Sequence, residues 1–495
     1  MNAMELPGEK EIRDAYQQGE EAVILLFQAT ILILAERIQK LEDQLAKNSN
    51  NSGKPPSSDG YNQPAPRSLR KRSRRKSGGQ AGHRGETLKA VEKPDHIEVH
   101  RVTGCGHCGY PLKRRKAIGH EKRQVFDVPP MKIEVTEHCA EIKDCPCCGK
   151  ETQAQFPSEV SKAVQYGTEV KVQMVYLNTE QHIPLERTCD LLEEFYGHRP
   201  SEGTIVTACA EAAQKVEKPN EAIKEHLVEK EEVAHFDETG MMINGILNWL
   251  HSASTLRLTC YAMHAKRGSV AMNEINILPR FKGRAVHDDL VSYFQYELKH
   301  ALCNAHHLRT LLFLLERYPQ KWIEPLKDLL IKIKGKVEAA KERCPEPVEG
   351  KKQTALSVRQ INIFYRVYDQ LIAQGLRANP PPNEKNRKPG QRGQLKQSPA
   401  RNLLLRLQKH KESVLAFMLD FNVPFDNNQA ERDLRMMKVK QKVSGGFRST
   451  AGAQNFCQIR GYLSTARKNG VMALTALRLA FADIPFLPDF VAPLT

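Results

Sequence analysis

A stripe of apolar residues near the start of the chain recurs at alternating spacings of three and four. Its members are Ile24, Phe27, Ile31, Leu34, Ile38, Leu41 and Leu45. This is the a/d pattern of a left-handed coiled coil, so residues 1–48 are predicted to form a helix that pairs chains into a homodimer or a higher homo-oligomer. An amphipathic helix packed on its own domain is the alternative, because the stripe is close to the minimum length for a coiled coil.

The apolar periodicity then stops, and residues 49–97 predict a flexible linker. This segment is rich in Pro, Ser and Gly and is too polar to bury a core. It contains a basic run with Arg70, Lys71, Arg72, Arg74, Arg75 and Lys76. Such a run can neutralise several phosphates and release their counterions without reading a base sequence, although a merely solvated linker would look the same.

Helical periodicity returns over residues 156–228. One predicted helix covers 184–195, Gly197 follows it, and Ser201 caps a second helix. A helix, a turn and a second helix resemble a helix-turn-helix, in which the second helix enters a major groove. Because no basic residues lie early in that second helix, an ordinary helical hairpin is an equal alternative.

Strand patterns begin at Val233. Three successive antiparallel strands are predicted within 233–240, 246–252 and 256–263, followed by a helix at 270–278 and a short strand at 285–288. Residues 311–420 are then largely helical in pattern, with a Pro/Gly/Lys-rich surface linker at 379–399. The chain is therefore expected to be a multidomain α/β protein.

Two carboxylates lie in or at the end of the apolar strands, at Asp237 and Asp288. An ionised carboxylate is costly to bury unless its charge is compensated, and two hard oxygen ligands on neighbouring strands suit Mg²⁺. Each residue could instead cap a turn or a helix start. Glu238 and Asp289 are rivals, because strand alternation lets only one of each adjacent pair face a metal.

A third carboxylate, Glu431, falls in the first turn of a predicted helix. Asn428-x-x-Glu431 matches a capping box, which would make this glutamate purely structural. The same helical face carries cations that could hold DNA phosphates. An ion pair with Glu431 could account for Arg435, but Lys438, Lys440, Lys442 and Arg448 remain in surplus.

Two cysteine pairs predict a zinc site within residues 98–155. Twelve cysteines in 495 residues are too sparse for a disulfide scaffold. The pairs Cys105–Cys108 and Cys145–Cys148 could supply the four sulfur ligands of structural Zn²⁺. Their separation is longer than in the simplest pattern, so we expect a zinc-ribbon-like domain with a β insert around 125–135. Unliganded thiols are the alternative, and possible substitute ligands are Cys147, Cys139 and His107.

Charge narrows the class of partner. The 74 Lys and Arg against 58 Asp and Glu give a net charge of +16, which favours a polyanion, with nucleic acid ahead of a membrane surface. No apolar run approaches the roughly 18 residues of a spanning helix, and the basic start of a signal peptide is missing. We therefore expect a cytoplasmic protein with no membrane partner.

The motifs, taken in their order along the chain, resemble the insertion-sequence 66 family of bacterial DDE transposases. The resemblance is collinear over nearly the whole chain. It is carried by the heptad helix, Gly78-Gly-Gln-Ala-Gly-His83-Arg-Gly85, the two cysteine pairs, Phe236-Asp237-Glu-Thr, His287-Asp288, Cys303-Asn-Ala-His306, Asp426-Asn-Asn-Gln-Ala-Glu431-Arg and Ser444-Gly-Gly-Phe-Arg448.

The resemblance implies an RNase H-like catalytic core. Its first Asp lies on the first strand, its second just after the fourth, and its Glu on a late helix, which selects Asp237, Asp288 and Glu431 over the rivals. The core would occupy 229–310 and 421–467, with a helical insertion at 311–420 and a C-terminal tail at 468–495. The coiled coil, the basic linker, the zinc-binding domain and the helical DNA-binding segment would precede it.

Cys303 and His306 resemble a signature near the active site of related transposases, beside the fifth strand of the core. From the residues alone, His306 would be an ordinary core or surface histidine, and the spacing could also indicate a metal pair. We treat both as site residues of second rank.

The implied reaction is cleavage of insertion-sequence ends and transfer of the 3′-hydroxyl to target DNA. Two Mg²⁺ ions, about 3.5 to 4 Å apart, would support it, with Mn²⁺ as a possible substitute. Partners would be DNA and small accessory proteins of the same element, at the bacterial nucleoid. Alternatives are a non-catalytic zinc-ribbon DNA-binding regulator and an RNase H-like nuclease that never joins strands.

Overall fold

The computed structural model describes residues 6–52, 54, 59, 88–129, 131–343, 354–383 and 395–491. The basic run from Arg70 to Lys76 lies outside the described residues. At the N-terminus, α1 (Glu9–Gln17) precedes a long helix, α2 (Glu20–Ala46), which confirms the predicted helix. All seven residues of the apolar stripe on α2 are exposed in the single chain. Packing of this stripe on its own domain is therefore not seen among the described residues, and pairing with a second chain stays a prediction.

The C-terminal end of α2 contacts the rest of the protein. Asp43 accepts a hydrogen bond from the hydroxyl of Tyr318, and Glu42 pairs with Arg317 at 2.9 Å. The apolar length of α2 before this contact therefore remains accessible.

The predicted zinc-binding domain, residues 98–155, contains little regular structure. An antiparallel hairpin of β1 (Ile142–Asp144) and β2 (Glu151–Gln153) surrounds the second cysteine pair. The predicted β insert at 125–135 is wrong: its described residues form no strand. Val125 and Val135 are about nine-tenths exposed, so the apolar alternation there has no opposing sheet to pack against.

Four helices follow, with one π-helical turn at Tyr176–Glu180. They are α3 (Thr168–Val175), α4 (Leu185–Tyr196), α5 (Glu202–Lys215) and α6 (Glu217–Lys230). The predicted turn is confirmed: α4 ends at Gly197 in the left-handed conformation, and the Ser201 hydroxyl accepts the Thr204 N–H. Because Ile205 and Ala212 of α5 are buried in a cluster with helices from the C-terminus, this hairpin is fixed to the core. Docking of α5 in a major groove stays a prediction.

A five-stranded mixed sheet forms the centre of the protein. Its members are β3 (Val233–Ile243), β4 (Ile246–Ser254), β5 (Thr259–His264), β6 (Arg284–His287) and β7 (Lys299–Leu302), in the order β5-β4-β3-β6-β7. The first three strands are antiparallel, as predicted, whereas β3, β6 and β7 are parallel. A helix, α7 (Ser269–Ile275), connects β5 to β6, and a 3-10 turn at Val291–Gln295 connects β6 to β7.

The predicted helical segment after the sheet is present as a bundle with its own core. Its helices are α8 (Asn304–Arg317), α9 (Ile323–Arg343), α10 (Val358–Ala378), α11 (Pro399–Lys409), α12 (Lys411–Val414) and α13 (Ala416–Leu419). Trp322, Tyr368 and Leu404 are almost fully buried in it. Part of the predicted linker at 379–399 lies outside the described residues.

Three C-terminal helices return the chain to the sheet: α14 (Asn428–Ser444), α15 (Thr450–Lys468) and α16 (Ala473–Phe481). Leu434 and Met437 of α14 pack against Met241 and Leu250 on one face of the sheet. The opposite face packs on α6 and α7 through residues such as Phe236. Successive residues of β3 therefore face two different helical layers. Among the described residues, no helix is both long and apolar enough to cross a membrane.

Candidate active site

Asp237 lies on the face of β3 that α14 covers. Side chains alternate between the two faces of a strand, so Asp237 shares a face with Met241 and Ile243, which pack against α14. Phe236 packs on the opposite face. Its Oδ1 accepts the N–H of Glu238 at 2.8 Å, which leaves Oδ2 for another partner.

Asp288 follows β6 directly, one residue beyond the end of the strand. β3 and β6 are parallel, and His235 pairs with Val286, so continuing both strands by two residues brings Asp288 alongside Asp237. Asp288 Oδ1 accepts the N–H of Leu290 at 2.9 Å, which is the turn contact that the sequence allowed. This contact occupies one oxygen only.

Glu431 is held over β3 by the residue that begins its helix. Asn427 is almost fully buried. Its side-chain amide donates to the carbonyl of Phe236 at 2.8 Å, and its Oδ1 lies 2.7 Å from Nδ1 of His235. Its backbone N–H donates to Cys303 Sγ at 3.2 Å. Asn427 therefore ties the first turn of α14 to the strand that carries Asp237.

The capping-box interpretation of Glu431 is wrong. The N-cap is Asn427 rather than Asn428, and its side chain bonds to β3 instead of capping the helix. Within the described chain, Oε1 of Glu431 is buried without a hydrogen-bond partner. Arg309 is the nearby cation, with its Nη2 3.6 Å from that oxygen.

The three carboxylates are electrostatically coupled. Burial raises the pKa of Asp237 well above its ordinary value, and repulsion from Glu238, Asp288 and Glu431 raises it further. Neighbouring carboxylates that repel one another are the donor set that a hard divalent cation prefers. The residue types therefore suit Mg²⁺. No group of metal-ligand atoms within 4.8 Å is formed by the three carboxylates among the described residues, so their closure around an ion stays a prediction.

Both rival carboxylates are already paired with arginine. Glu238 lies on the other face of β3, where its two oxygens accept hydrogen bonds from Arg267 Nε and the Tyr293 hydroxyl, each at 2.7 Å. Asp289 lies 2.8 Å from Nε of Arg406 on α11. Neither arginine stands in a motif that the sequence singles out, because each is brought to its partner by the tertiary fold.

Cys303 and His306 lie beside Glu431. Cys303 directly follows β7, which is the fifth strand of the sheet, and His306 is in the first turn of α8. One ligand atom from each of Cys303, His306 and Glu431 lies within 4.8 Å of the others. Burial raises the pKa of Cys303 to about 12, whereas burial and then Arg309 lower the pKa of His306.

The basic residues of α14 and the following turn do not form a single face. Arg435, Lys442 and Arg448 are exposed, and Lys438 is half-buried. Lys440 departs from the expectation: its ammonium is buried, donates to Ser444 Oγ at 3.1 Å and lies 4.1 Å from the Phe447 ring centroid. Burial lowers its pKa to about 8. The spacing of Ala430, Leu434 and Met437 already indicates a buried stripe that Lys440 continues.

The two cysteine pairs form the same local turn twice. The carbonyl of Cys105 accepts the Gly109 N–H at 2.9 Å, and the carbonyl of Cys145 accepts the Gly149 N–H at 2.8 Å. Backbone N–H groups within each turn lower the pKa of the first thiol of each pair. The largest contribution comes from the N–H of His107 for Cys105 and from the N–H of Cys148 for Cys145. Such thiolate knuckles fit Zn²⁺. No three of the four thiols form a metal-sized group in the described residues, so their closure around one ion stays a prediction.

Comparisons with known families agree with these features. Residues 103–149 match the family described as zinc-finger binding domain of transposase IS66, and residues 4–89 match a family of unknown function, DUF6444. Residues 163–455 match the family described as Transposase IS66 family. No curated protein matches the chain.

These matches first define the class of the protein: it is a transposase, a nucleic-acid-processing protein that binds DNA and carries a zinc-finger domain. Because residues 163–455 are more than half of the 495 residues, the chain belongs to the IS66 transposase family. The resemblance based on its motifs is thereby confirmed.

Proposed function

We propose that the protein is a DDE transposase that cleaves insertion-sequence ends and joins their 3′-hydroxyls to target DNA. The observation that carries this proposal is the convergence of Asp237, Asp288 and Glu431 from a strand, a loop and a helix. Their mutual repulsion raises the pKa of Asp237, and Glu431 keeps an unpartnered oxygen.

The sheet supports an RNase H-like core. Numbered within the sheet, its strand order is 3-2-1-4-5, with the second strand antiparallel to the first. Asp237 lies on the first of these strands, Asp288 just after the fourth, and Glu431 on a late helix. These are the positions that the family resemblance implies for the catalytic trio.

The chain's own residues prepare the site for phosphoryl transfer. Asp237, Asp288 and Glu431 would hold two Mg²⁺ ions, which would supply stabilisation of negative charge during phosphoryl transfer, and Mn²⁺ could replace them. Asn427 fixes Glu431 relative to Asp237. Arg267 pairs with Glu238 and Arg406 pairs with Asp289, so each adjacent carboxylate has a cationic partner of its own, and Arg267 Nη2 also lies 4.0 Å from Oδ2 of Asp288.

DNA would be positioned by the exposed cations near the site. Arg435 and Lys442 on α14, Arg448 beyond it and the half-buried Lys438 are suited to phosphate contacts, which orient a duplex without reading its sequence. Lys440 is excluded by its burial. The linker residues from Arg70 to Lys76 add affinity of the counterion-release kind.

Element ends must be held together for joining, and the exposed stripe of α2 is suited to pair two chains in a coiled coil. A homodimer or a higher homo-oligomer would hold two ends at once. Small accessory proteins and a location at the nucleoid belong to the same proposal.

The test is a cleavage and joining assay with labelled element-end DNA, Mg²⁺ and the full-length protein, with its accessory proteins. We expect cut and joined products, and loss of both in Asp237→Asn by more than about 100-fold, since this change removes a direct metal ligand rather than a supporting contact. The matched control is Asp369→Asn, which removes a surface carboxylate paired with Lys411.

Each outcome separates the candidate functions. Cutting without joining would indicate a nuclease, and no cutting by the unmutated protein would favour the DNA-binding regulator. Equal cutting by Asp237→Asn and Asp369→Asn would refute the assignment of the site.

A further inference from the structure

Three side chains of different chemistry meet at the edge of the carboxylate site. A sulfur of Cys303, a ring nitrogen of His306 and a carboxylate oxygen of Glu431 all lie within 4.8 Å of one another. Cys303 and His306 come from the junction of β7 and α8, and Glu431 comes from α14. It is the one such group of three or more in the described parts of the chain.

Two atoms of this group make no hydrogen bond within the described protein. Nδ1 of His306 and Oε1 of Glu431 are both buried without a hydrogen-bond partner. Leaving such buried atoms unsatisfied destabilises the protein, so a ligand that satisfies both would bind favourably. Arg309 Nη2 lies 3.6 Å from Oε1 of Glu431, an ion pair that a bound cation would replace.

The surroundings of Cys303 are suited to a thiolate that binds a metal. The backbone N–H of Asn427 points at Cys303 Sγ from 3.2 Å, and such N–H···S contacts stabilise negative charge on sulfur. The side chain of Asn427 is itself held by two hydrogen bonds to β3, one with the carbonyl of Phe236 and one with the ring of His235. The sulfur therefore has a fixed position relative to Glu431.

The donor set differs from that of the magnesium site. Thiolate and imidazole ligands favour Zn²⁺ over Mg²⁺, which prefers oxygen ligands alone. Three protein ligands also leave an open coordination position, in contrast to the four-sulfur knuckles.

We propose that Cys303, His306 and Glu431 form a Zn²⁺ site that withdraws Glu431 from the magnesium site and thereby inhibits DNA cleavage. Zinc binding itself is independent of the proposed function, whereas the inhibition rests on it. Zinc and magnesium would compete because both need the carboxylate of Glu431.

The binding arm measures zinc per chain by equilibrium dialysis of the full-length protein against buffered free Zn²⁺. We expect the unmutated protein to hold one more zinc than Cys303→Ser, whose hydroxyl is a poor zinc ligand. The matched control, Cys457→Ser, removes another buried thiol and should retain the full zinc content. His306→Asn repeats the test should Cys303→Ser fail to fold, as judged by its thermal unfolding.

Equal zinc content in the unmutated protein, Cys303→Ser and His306→Asn would overturn the site. This result does not depend on any catalytic activity, so it stays decisive even where the proposed function fails.

The activity arm titrates Zn²⁺ into Mg²⁺-supported cleavage, with each variant normalised to its own rate before zinc is added. Half-inhibition of Cys303→Ser should need at least about tenfold more zinc than the unmutated protein or Cys457→Ser. Excess Mg²⁺ should relieve the inhibition. Equal inhibition of all variants would overturn the regulatory role, whereas absence of any cleavage without zinc would instead count against the proposed function.

Discussion

The cysteine knuckles and the carboxylate site are built in opposite ways. Each knuckle is a short turn in which a few neighbouring residues supply the thiols and the N–H groups that stabilise them. The carboxylate site gathers Asp237, Asp288 and Glu431 from distant parts of the chain and needs Asn427 to join them. A local site can thus persist when its surroundings change, whereas the carboxylate site depends on the sheet and on α14 together.

After substitution of one of the three carboxylates themselves, Asn427→Ala should have the largest effect on the carboxylate site. It removes two buried side-chain hydrogen bonds, so we expect cleavage or Mg²⁺ affinity to fall by about 10–100-fold, as for other residues that support metal ligands. Unfolding should become easier by about 1–3 kcal/mol. The Mg²⁺ dependence of cleavage separates the two effects, because a merely structural loss would leave the magnesium concentration for half-maximal rate unchanged.

The control for this variant is Asn428→Ala, which alters the adjacent, exposed asparagine. Equal Mg²⁺ dependence of Asn427→Ala and the unmutated protein would show that the carboxylate site does not rely on this tie.

Removal of zinc should unfold only the region of the cysteine knuckles. A two-stranded hairpin is marginally stable by itself, so chelation should expose residues 98–155 while β3 to β7 stay folded. Amide hydrogen exchange can measure this segment by segment. Loss of protection in β3 or β4 on chelation would contradict the independence of the two regions.

Much of this contrast was predictable from sequence. The cysteine spacing indicates the knuckles directly, and apolar strands that end in acidic residues indicate Asp237 and Asp288. The ties between elements were not predictable, because Arg267, Arg406 and Asn427 find their partners only through tertiary packing. The prediction of a β insert at 125–135 was wrong for the same reason: alternating apolar residues form a strand only where a neighbouring strand can pair with them.

Lys442 and Lys440 should differ in DNA binding although both were predicted to contact phosphate. Lys442→Ala should weaken binding to all sequences alike and reduce the slope of log affinity against log salt by about 1. Lys440→Met keeps the length of the side chain and should leave that slope unchanged. Fluorescence anisotropy at several salt concentrations measures both, and an equal slope change would place Lys440 at the DNA after all.

A smaller effect concerns pH in the absence of Mg²⁺. Since the pKa of Asp237 is raised in the folded protein, its protonated form contributes stability that is fully present below its ordinary pKa of about 3.9 and is lost as pH rises through the raised value. Asp237→Asn has no carboxyl group at this position and does not lose this stability as pH rises. Its melting temperature should therefore exceed that of the unmutated protein by a margin that grows with pH, and a constant margin would contradict the pKa shift.

The most direct test of the central claim is the melting temperature with and without Mg²⁺ at neutral pH. Binding to the folded state alone raises it. The account predicts a rise for the unmutated protein and for Asp369→Asn, and none for Asp237→Asn, Asp288→Asn or Glu431→Gln. An equal rise in all five proteins would contradict a magnesium site formed by Asp237, Asp288 and Glu431.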